Sequence, residues 1–312
     1  MVLSTEQCLK ICGSREHYTS IELFEDMEFP VRIMRCKDHP YACVHTHDFY
    51  EFVYVSHGIG RHITRLKDTA TRGATNMKHT NIIKGDLFSI LPGEAHGYSE
   101  TRSFRIYNIL FLPEFINNII PGQEYLQNLY FLINRSVHDM ASGKLYIHPE
   151  FQEPIENSLS TIISEMENKR SGFQEIVNSR FKEFLIYLSR SGQMHKKEEY
   201  RKKVALEHDG IRRAVGFIEE NLHRSISLSD VADAACLSPE YLSVLFKRKT
   251  GASPWDFINH SRIEKAKDHL KNTNEPVTQI AYKSGFSDSS YFTKVFRKYT
   301  GLPPSDYRKS LK

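Results

Sequence analysis

"VTQIAYKSGFSDSSYFTKVFRKYTGLPPSDY", residues 277–307, decides how the last third of this chain folds, because the chain has already spelled it once. The earlier copy is "LSDVADAACLSPEYLSVLFKRKTGASPWDF", residues 228–257. Val231/Ile280, Ala232/Ala281 and Ser238/Ser287 are 49 residues apart, whereas Tyr241/Tyr291, Phe246/Phe296, Thr250/Thr300, Gly251/Gly301 and Pro254/Pro304 are 50 apart. The change of offset places one inserted residue at the start of the second copy's second helix. Each copy reads as helix, tight turn, helix. Ser227 can cap the first helix, with Asp230 completing a capping-box pattern. Ser238 caps the next helix, and Pro239 suits its first position, where no backbone donor is needed. Ser287 with Asp288 repeats this in the second copy. Gly285 is free to take positive φ in the turn, a place that Cys236 holds in the first copy, and Gly251 and Gly301 stop the second helices. Val231, Leu237, Leu242, Leu245 and Phe246 fall on core positions, and small Ala232 and Ala281 allow close helix approach.

Between the copies, "PWDFINHSRIEKAKDHLKNT" (254–273) is amphipathic and free of glycine or proline after its first residue. About 18 helical residues at about 1.5 Å each span roughly 27 Å. That is near the ~34 Å between successive major grooves on one face of DNA. Two copies are too few for a solenoid. On these residues, and above all on "IAYKSGFSDSSYFTKVFRKYTGLPPSDYRK" (280–309), residues 211–309 resemble the DNA-binding domain of the AraC/XylS family of bacterial transcription regulators. The resemblance implies that Glu240, Ser243, Val244 and Lys247 of the first recognition helix face DNA, with Ser289, Ser290, Thr293, Lys294 and Arg297 of the second. Lys294 could donate to guanine O6/N7, Glu240 could accept from cytosine N4, and Val244 could either meet a thymine methyl or pack. Lys247, Arg248, Arg297 and Lys298 suit phosphate.

Charge is distributed accordingly. From Ile211 onward there are 17 Lys+Arg against 11 Asp+Glu, and before it 25 against 27, in a chain of net charge +4. A basic third on a slightly acidic body points to an anionic partner for that third alone. The 312 residues suit two domains, and 40% hydrophobic with 26% charged residues is ordinary globular composition. No apolar run approaches the ~18 residues of a membrane span, and "MVLSTEQCLKICGSREHY" lacks a secretory pattern, so a cytoplasmic location is expected. The five cysteines, odd in number and irregularly spaced, lead us to expect reduced thiols. Cys8 and Cys12 could share a helix face as a redox or metal pair.

Ahead of the repeat, four domain segments are expected: a sensing domain over 1–112, helices over 113–192, a linker over 193–210 and the DNA-binding domain over 211–312. In the first, "EFVYVS", "RHITRL", "GDLFSILP" and "FRIYNILFLP" read as short antiparallel strands closing into a small barrel or sandwich, with 66–81 as a long loop. In the second, "PEFINNIIPGQEYLQNLYFLI" is broken at Pro121-Gly122. Ile155, Leu159, Ile162, Ile163 and Met166 then recur at helical spacing, as do Ile176, Val177, Phe181, Phe184, Leu185 and Leu188. Gly172 between them predicts an antiparallel helix pair that packs on the barrel and could present a dimerisation face. The fold class expected is α+β, a β-barrel with a helix pair followed by an all-α domain.

The family resemblance extends into the barrel. "HTHDFYEFVYVSHG" (45–58) carries His45, His47, Glu51 and Gly58 at the spacing of a cupin motif, and "GDLFSILPGEAHGY" (85–98) supplies Gly85, Pro92, Gly93 and His96 of a second. That second motif is imperfect. Its Gly-to-Pro gap is one residue longer, Gly93 directly follows Pro92, and Glu100 stands where the motif ends in Asn. In an extended segment, positions 45, 47, 49, 51 and 53 share one face. Three histidines and a carboxylate could coordinate a first-row metal, line a pocket for sugar hydroxyls, or form a structural hydrogen-bond network. Tyr54, Arg61, Tyr98 and Tyr107 are further pocket candidates, although parity puts Tyr54 on the face opposite Glu51.

The two motif segments look like those of the sugar-responsive branch of the family. The expected protein is therefore a homodimeric regulator rather than an enzyme. It would bind double-stranded promoter DNA, act as an activator that meets RNA polymerase, and respond to a small-molecule effector, with a sugar as the leading class. No cofactor is required. The rivals are a metal or redox sensor using the histidines or Cys8/Cys12, a metal-dependent cupin enzyme fused to a DNA-binding domain, and a repressor.

Overall fold

The fold is taken from a computed structural model, which describes residues 2–3, 16–24, 27–36, 42–65, 77–119, 129, 132, 144–194 and 205–311. Cys8, Cys12, residues 66–76, most of 120–143 and linker residues 195–204 lie outside the described residues. The chain divides into two compact units, Met1–Lys202 and Lys203–Lys312. No helix among the described residues is long and apolar enough to cross a membrane.

The first unit is a curled sheet with helices on one face. Its strands are β1 (Val2–Leu3), β2 (His17–Tyr18), β3 (Val31–Cys36), β4 (Ala42–His47), β5 (Tyr50–Arg65), β6 (Met77–Ile83), β7 (Asp86–Ile90), β8 (His96–Phe111) and β9 (Lys144–Tyr146). The central order is β1-β3-β8-β5-β7-β9, with β4 paired to β8 and β6 to β5. "EFVYVS" and "RHITR", expected as separate short strands, belong to one 16-residue strand. It pairs with the equally long β8 through several register shifts. Those irregularities bend the ribbon without breaking it. At the bend Gly58 has φ 75, and a Cβ there would lie 2.2 Å from the Ser103 carbonyl oxygen. Residues 77–81, expected as loop, are strand and pair with β5.

Alternation along β5 and β8 builds two cores. Phe52, Tyr54, Tyr107, Ile109 and Phe111 point to the helices, while Val53, Val55, Phe104, Ile106 and Leu110 point to the opposite, concave side. The helices are α1 (Ser20–Leu23), α2 (Pro113–Ile119), α3 (Pro149–Asn168) and α4 (Phe173–Met194). Helix α3 begins at Pro149, and Pro154 falls inside it. Ile155, Leu159, Ile162, Phe181, Phe184 and Leu188 are fully buried against the sheet. Ile176 is the exception to the expected apolar stripe, since it is 41% exposed and Val177 takes the inward place. Cys36 is fully buried and disulfide-bonded, against the expectation of reduced thiols, and Cys43 and Cys236 are free. Leu3 pairs with Cys36 across the β1–β3 ladder.

The second unit is helical. A single π-helical turn, Ala205–Asp209, leads into α5 (Gly210–Asn221), then α6 (Leu228–Ala235) and α7 (Pro239–Thr250). The connector α8 (Pro254–Asn272) is followed by α9 (Val277–Lys283), α10 (Ser289–Thr300) and α11 (Pro304–Ser310). The end of the expected linker, 205–210, is thus helical. Ser227 and Asp230 form the capping box, Ser238 caps α7, and Cys236, Gly251 and Gly301 take left-handed conformations. In the second copy the cap is Asp288, whose carboxylate accepts from the Ser290 and Tyr291 amides, and Ser287 lies outside the helix. The inserted residue therefore lengthens the turn and leaves both recognition helices at 12 residues. Leu237 is half-buried rather than core, while Val231, Leu242, Leu245 and Phe246 are fully buried.

Candidate effector site and nucleic-acid interface

The concave face of the sheet gathers the motif histidines. Strand β4 ends at His47, the chain bends at Asp48 and Phe49, and β5 starts at Tyr50. The segment is therefore two strands rather than one, yet His45, His47 and Glu51 still converge. His45 pairs across the ladder with His96, and their rings lie 4.3 Å apart. The turn before His96 is held to His47, since the Gly93 amide donates to the His47 carbonyl at 2.7 Å. Within that turn the Leu91 amide donates to Glu94 at 2.8 Å. His47 Nε2 is 3.2 Å and His96 Nε2 3.5 Å from the same Glu51 oxygen, Oε2. All four side chains are buried.

The protonation pattern follows from the partners. His47 Nδ1 sits 2.7 Å from the Phe49 carbonyl, His45 Nδ1 2.9 Å from that of Cys43, and His96 Nδ1 3.4 Å from that of Glu94. A carbonyl only accepts, so each Nδ1 carries a proton. Burial pushes the pKa of His45 down. Burial, reinforced by His45, His47 and His62, pushes that of His96 well down. The neutral form is thus favoured at His45 and His96, and with its Nδ1 protonated the Nε2 of His96 presents an acceptor to a buried carboxylate, which is also an acceptor. Such an arrangement calls for a proton, a hydroxyl donor or a cation between them.

Tyr98 belongs to this site, with its buried ring 6.2 Å from that of His96. Tyr54 and Tyr107 do not. Their hydroxyls meet Glu156 at 3.3 Å and Ser160 at 3.2 Å on α3, on the far side of the sheet. Arg61 precedes an inward residue on β5 and so faces away from the cluster. That inward residue, His62, was missed in the sequence. Its ring is 6.1 Å from His96 and 5.5 Å from Tyr98. It stands in the quoted "RHITRL", but the bulges between Glu51 and His62 scramble the parity that would have found it.

The residues fit a first-row metal on geometry. His47, Glu51 and His96 offer one ligand atom each within 4.8 Å of one another. The 3.2 and 3.5 Å separations bracket the ~3.3 Å edge of a tetrahedron with bonds near 2.0–2.1 Å. The carbonyls on Nδ1 are the partners that orient metal-binding imidazoles.

In the second unit, Glu240, Val244, Lys247, Ser290, Thr293, Lys294 and Arg297 are exposed, and Ser243 and Ser289 half-buried. Val244 is 66% exposed, which excludes packing within this unit as its role. The Ser243 and Thr293 hydroxyls donate to the Pro239 and Ser289 carbonyls at 2.9 Å, leaving them acceptor capacity outward. Beneath these side chains, Phe292, Val295 and Phe296 bury the opposite face of α10.

Residues 33–185 match the model of the AraC-like ligand binding domain, and residues 231–310 match that of a helix-turn-helix domain. The chain belongs to the AraC family. The HTH-type transcriptional activator RhaR of Mannheimia succiniciproducens is 25% identical over 285 residues, 91% of this chain and 94% of that protein. The HTH-type transcriptional activator RhaS of Escherichia coli is 28% identical over 272 residues, 85% of this chain and 86% of that protein. This AraC-family chain is a DNA-binding transcription regulator with a ligand-binding unit, and its family regulates transcription rather than catalysing a reaction.

Proposed function

We propose that this regulator is a cytoplasmic activator of carbohydrate-utilisation genes that senses a sugar at His45, His47, Glu51, His96 and Tyr98, bordered by His62. The observation that carries the reading is the buried Glu51 carboxylate faced by the Nε2 atoms of His47 and His96. Sugar hydroxyls are donors and acceptors at once, so they can bridge such groups. The activator names of RhaR and RhaS support the sign of regulation. The effector would act by binding two arrangements of the protein with different affinity. Lys294, Glu240 and their neighbours would read promoter DNA in successive major grooves while the regulator contacts RNA polymerase. The α3/α4 pair, with Ile176 exposed, is our proposed homodimer face. A thermal-shift screen of sugars tests the pocket. One sugar should raise the melting temperature of the native protein and not of Glu51→Ala, and no response to any sugar would count against it.

A second reading rests on the tetrahedral edge lengths at Glu51. His47, Glu51 and His96, with His45 as a fourth donor, would hold a first-row divalent cation. Such an ion, when bound, supplies a Lewis-acidic centre for oxygen ligands. In either case Glu51 provides the negative charge and the Nδ1–carbonyl bonds fix the rings. Elemental analysis of untagged protein separates the two: near-stoichiometric metal that is lost in His47→Ala supports the cation, and metal-free protein supports the sugar pocket.

A further inference from the structure

We infer that Glu207 is a positioning residue for DNA binding, a carboxylate that occupies Arg248 of the first recognition helix in place of a DNA phosphate. Both of its oxygens are engaged. The Tyr241 hydroxyl donates to Oε1 at 2.6 Å, and Arg248 Nη2 lies 3.3 Å from Oε2. Tyr241 and Arg248 are two turns apart on α7 and lie on one stripe with exposed Val244. Glu207 is therefore docked along the edge of the DNA-facing surface. The Arg248 side chain is 60% exposed and that of Glu207 only 18%, so the ion pair lies at the surface a phosphate would approach, with its carboxylate shielded.

The repeat provides an internal control. Tyr291 and Lys298 are the second-copy counterparts of Tyr241 and Arg248. The Tyr291 hydroxyl accepts from the Asn259 amide at 3.4 Å, and Lys298 lies over the Tyr299 ring at 5.6 Å. Among the described contacts neither the Tyr291 hydroxyl nor the Lys298 ammonium meets a carboxylate, so the clamp is not a general property of the helix-turn-helix.

Its location suggests a purpose. Glu207 sits in the π turn Ala205–Asp209, just past the boundary between the units at Lys202/Lys203. Such turns are rare and recur at functional positions. His208 beside it is buried. A carboxylate and a phosphodiester compete for one guanidinium. With Glu207 in place, Arg248 is neutralised within the protein; with Glu207 turned away, the interface gains a phosphate contact. A shift of the turn by the preceding chain would thus change DNA affinity.

The test uses the full chain and a fluorescein-labelled random-sequence duplex of about 30 bp, titrated by anisotropy across a salt series. Glu207→Gln should steepen the slope of log affinity against log salt by about 0.9, the increment for one more phosphate. Arg248→Ala should then remove more slope in the Glu207→Gln background than in the native one, which mere loss of a negative charge would not produce. Glu207→Asp, too short to reach Arg248, should move the slope the same way and serves if Glu207→Gln fails to fold. An unchanged or shallower slope, or equal Arg248→Ala losses in both backgrounds, would overturn the inference.

Discussion

The His45/His47/Glu51/His96 cluster and the outer face of α10 are both made of polar side chains, and the protein treats them in opposite ways. The first unit buries its cluster, with His47 and His96 each 1% exposed. The second unit turns Ser290, Thr293, Lys294 and Arg297 to solvent over a core of Phe292, Val295 and Phe296. A buried polar group must be compensated on the spot, so its position is set by ladder register, bulges and backbone carbonyls. An exposed one needs only a helix whose apolar side is anchored elsewhere. The difference separates a site that answers to small chemical changes within the fold from one that keeps its surface available to a large anion.

The contrast can be broken most severely at the backbone. Gly285 has φ 90, and a Cβ there would meet the Leu222 carbonyl oxygen at 1.8 Å and Arg262 Nε at 2.8 Å. Arg262 is itself buried and donates to the Leu222 and Arg224 carbonyls at 3.1 and 2.6 Å. Gly285→Ala should cost about 3 kcal/mol or more and abolish DNA binding. Gly301→Ala, with φ 80 but nothing within 4 Å of its Cβ, should cost only about 1–2 kcal/mol in denaturant melts. Equal losses would show that the close approach of Gly285 to Leu222 adds nothing to the backbone strain.

Within the cluster, His47→Ala removes a buried ring 3.2 Å from Glu51 Oε2, leaving a cavity beside a buried carboxylate, and should destabilise the first unit by about 3 kcal/mol. Lys294→Ala should leave stability within about 0.5 kcal/mol. Chemical denaturation of both variants makes the comparison quantitative, and similar values would collapse the distinction between buried and exposed sites. Acid gives the next smaller effect. Because the pKa values of His45 and His96 are lowered in the fold, the unfolded chain binds more protons below the ordinary histidine value of 6.5. In chelator-treated protein, stability should be at its plateau above that pH and fall as the pH drops below it, as read by melting temperature in a buffer series. A first unit more stable at pH 5 than at pH 7.5 would contradict the neutral-imidazole assignment. The finest effect is on sequence preference. Lys294→Ala should relax discrimination at one base pair by about 1–3 kcal/mol in a binding series across operator variants. Uniform weakening across sites would make Lys294 a phosphate contact.

How much could be read beforehand follows the same division. Caps, turn glycines and the repeat are local, so Ser227, Ser238, Gly251 and the faces of α7 and α10 were legible in the sequence. The inserted residue was misplaced because Ser287 and Asp288 are both good caps, and only the turn geometry selects Asp288. In the first unit the parity of Glu51, Val53 and Tyr54 was readable, and Tyr54 does face the helices. Tyr107, Arg61 and His62 were not, because their faces depend on pairing between distant parts of β5 and β8 and on bulges near Gly58. The span from Tyr50 to Arg65 looked like two strands for the same reason.

The central claim is that occupancy of the buried cluster is communicated to the DNA-binding unit. The most direct measurement is the DNA affinity of the full chain at fixed salt, with and without the sugar that stabilises it, for the native protein and Glu51→Ala. The account predicts that the sugar shifts the affinity of the native protein and leaves that of Glu51→Ala unmoved. A shift that persists in Glu51→Ala, or a stabilising sugar that never changes DNA affinity, would contradict it.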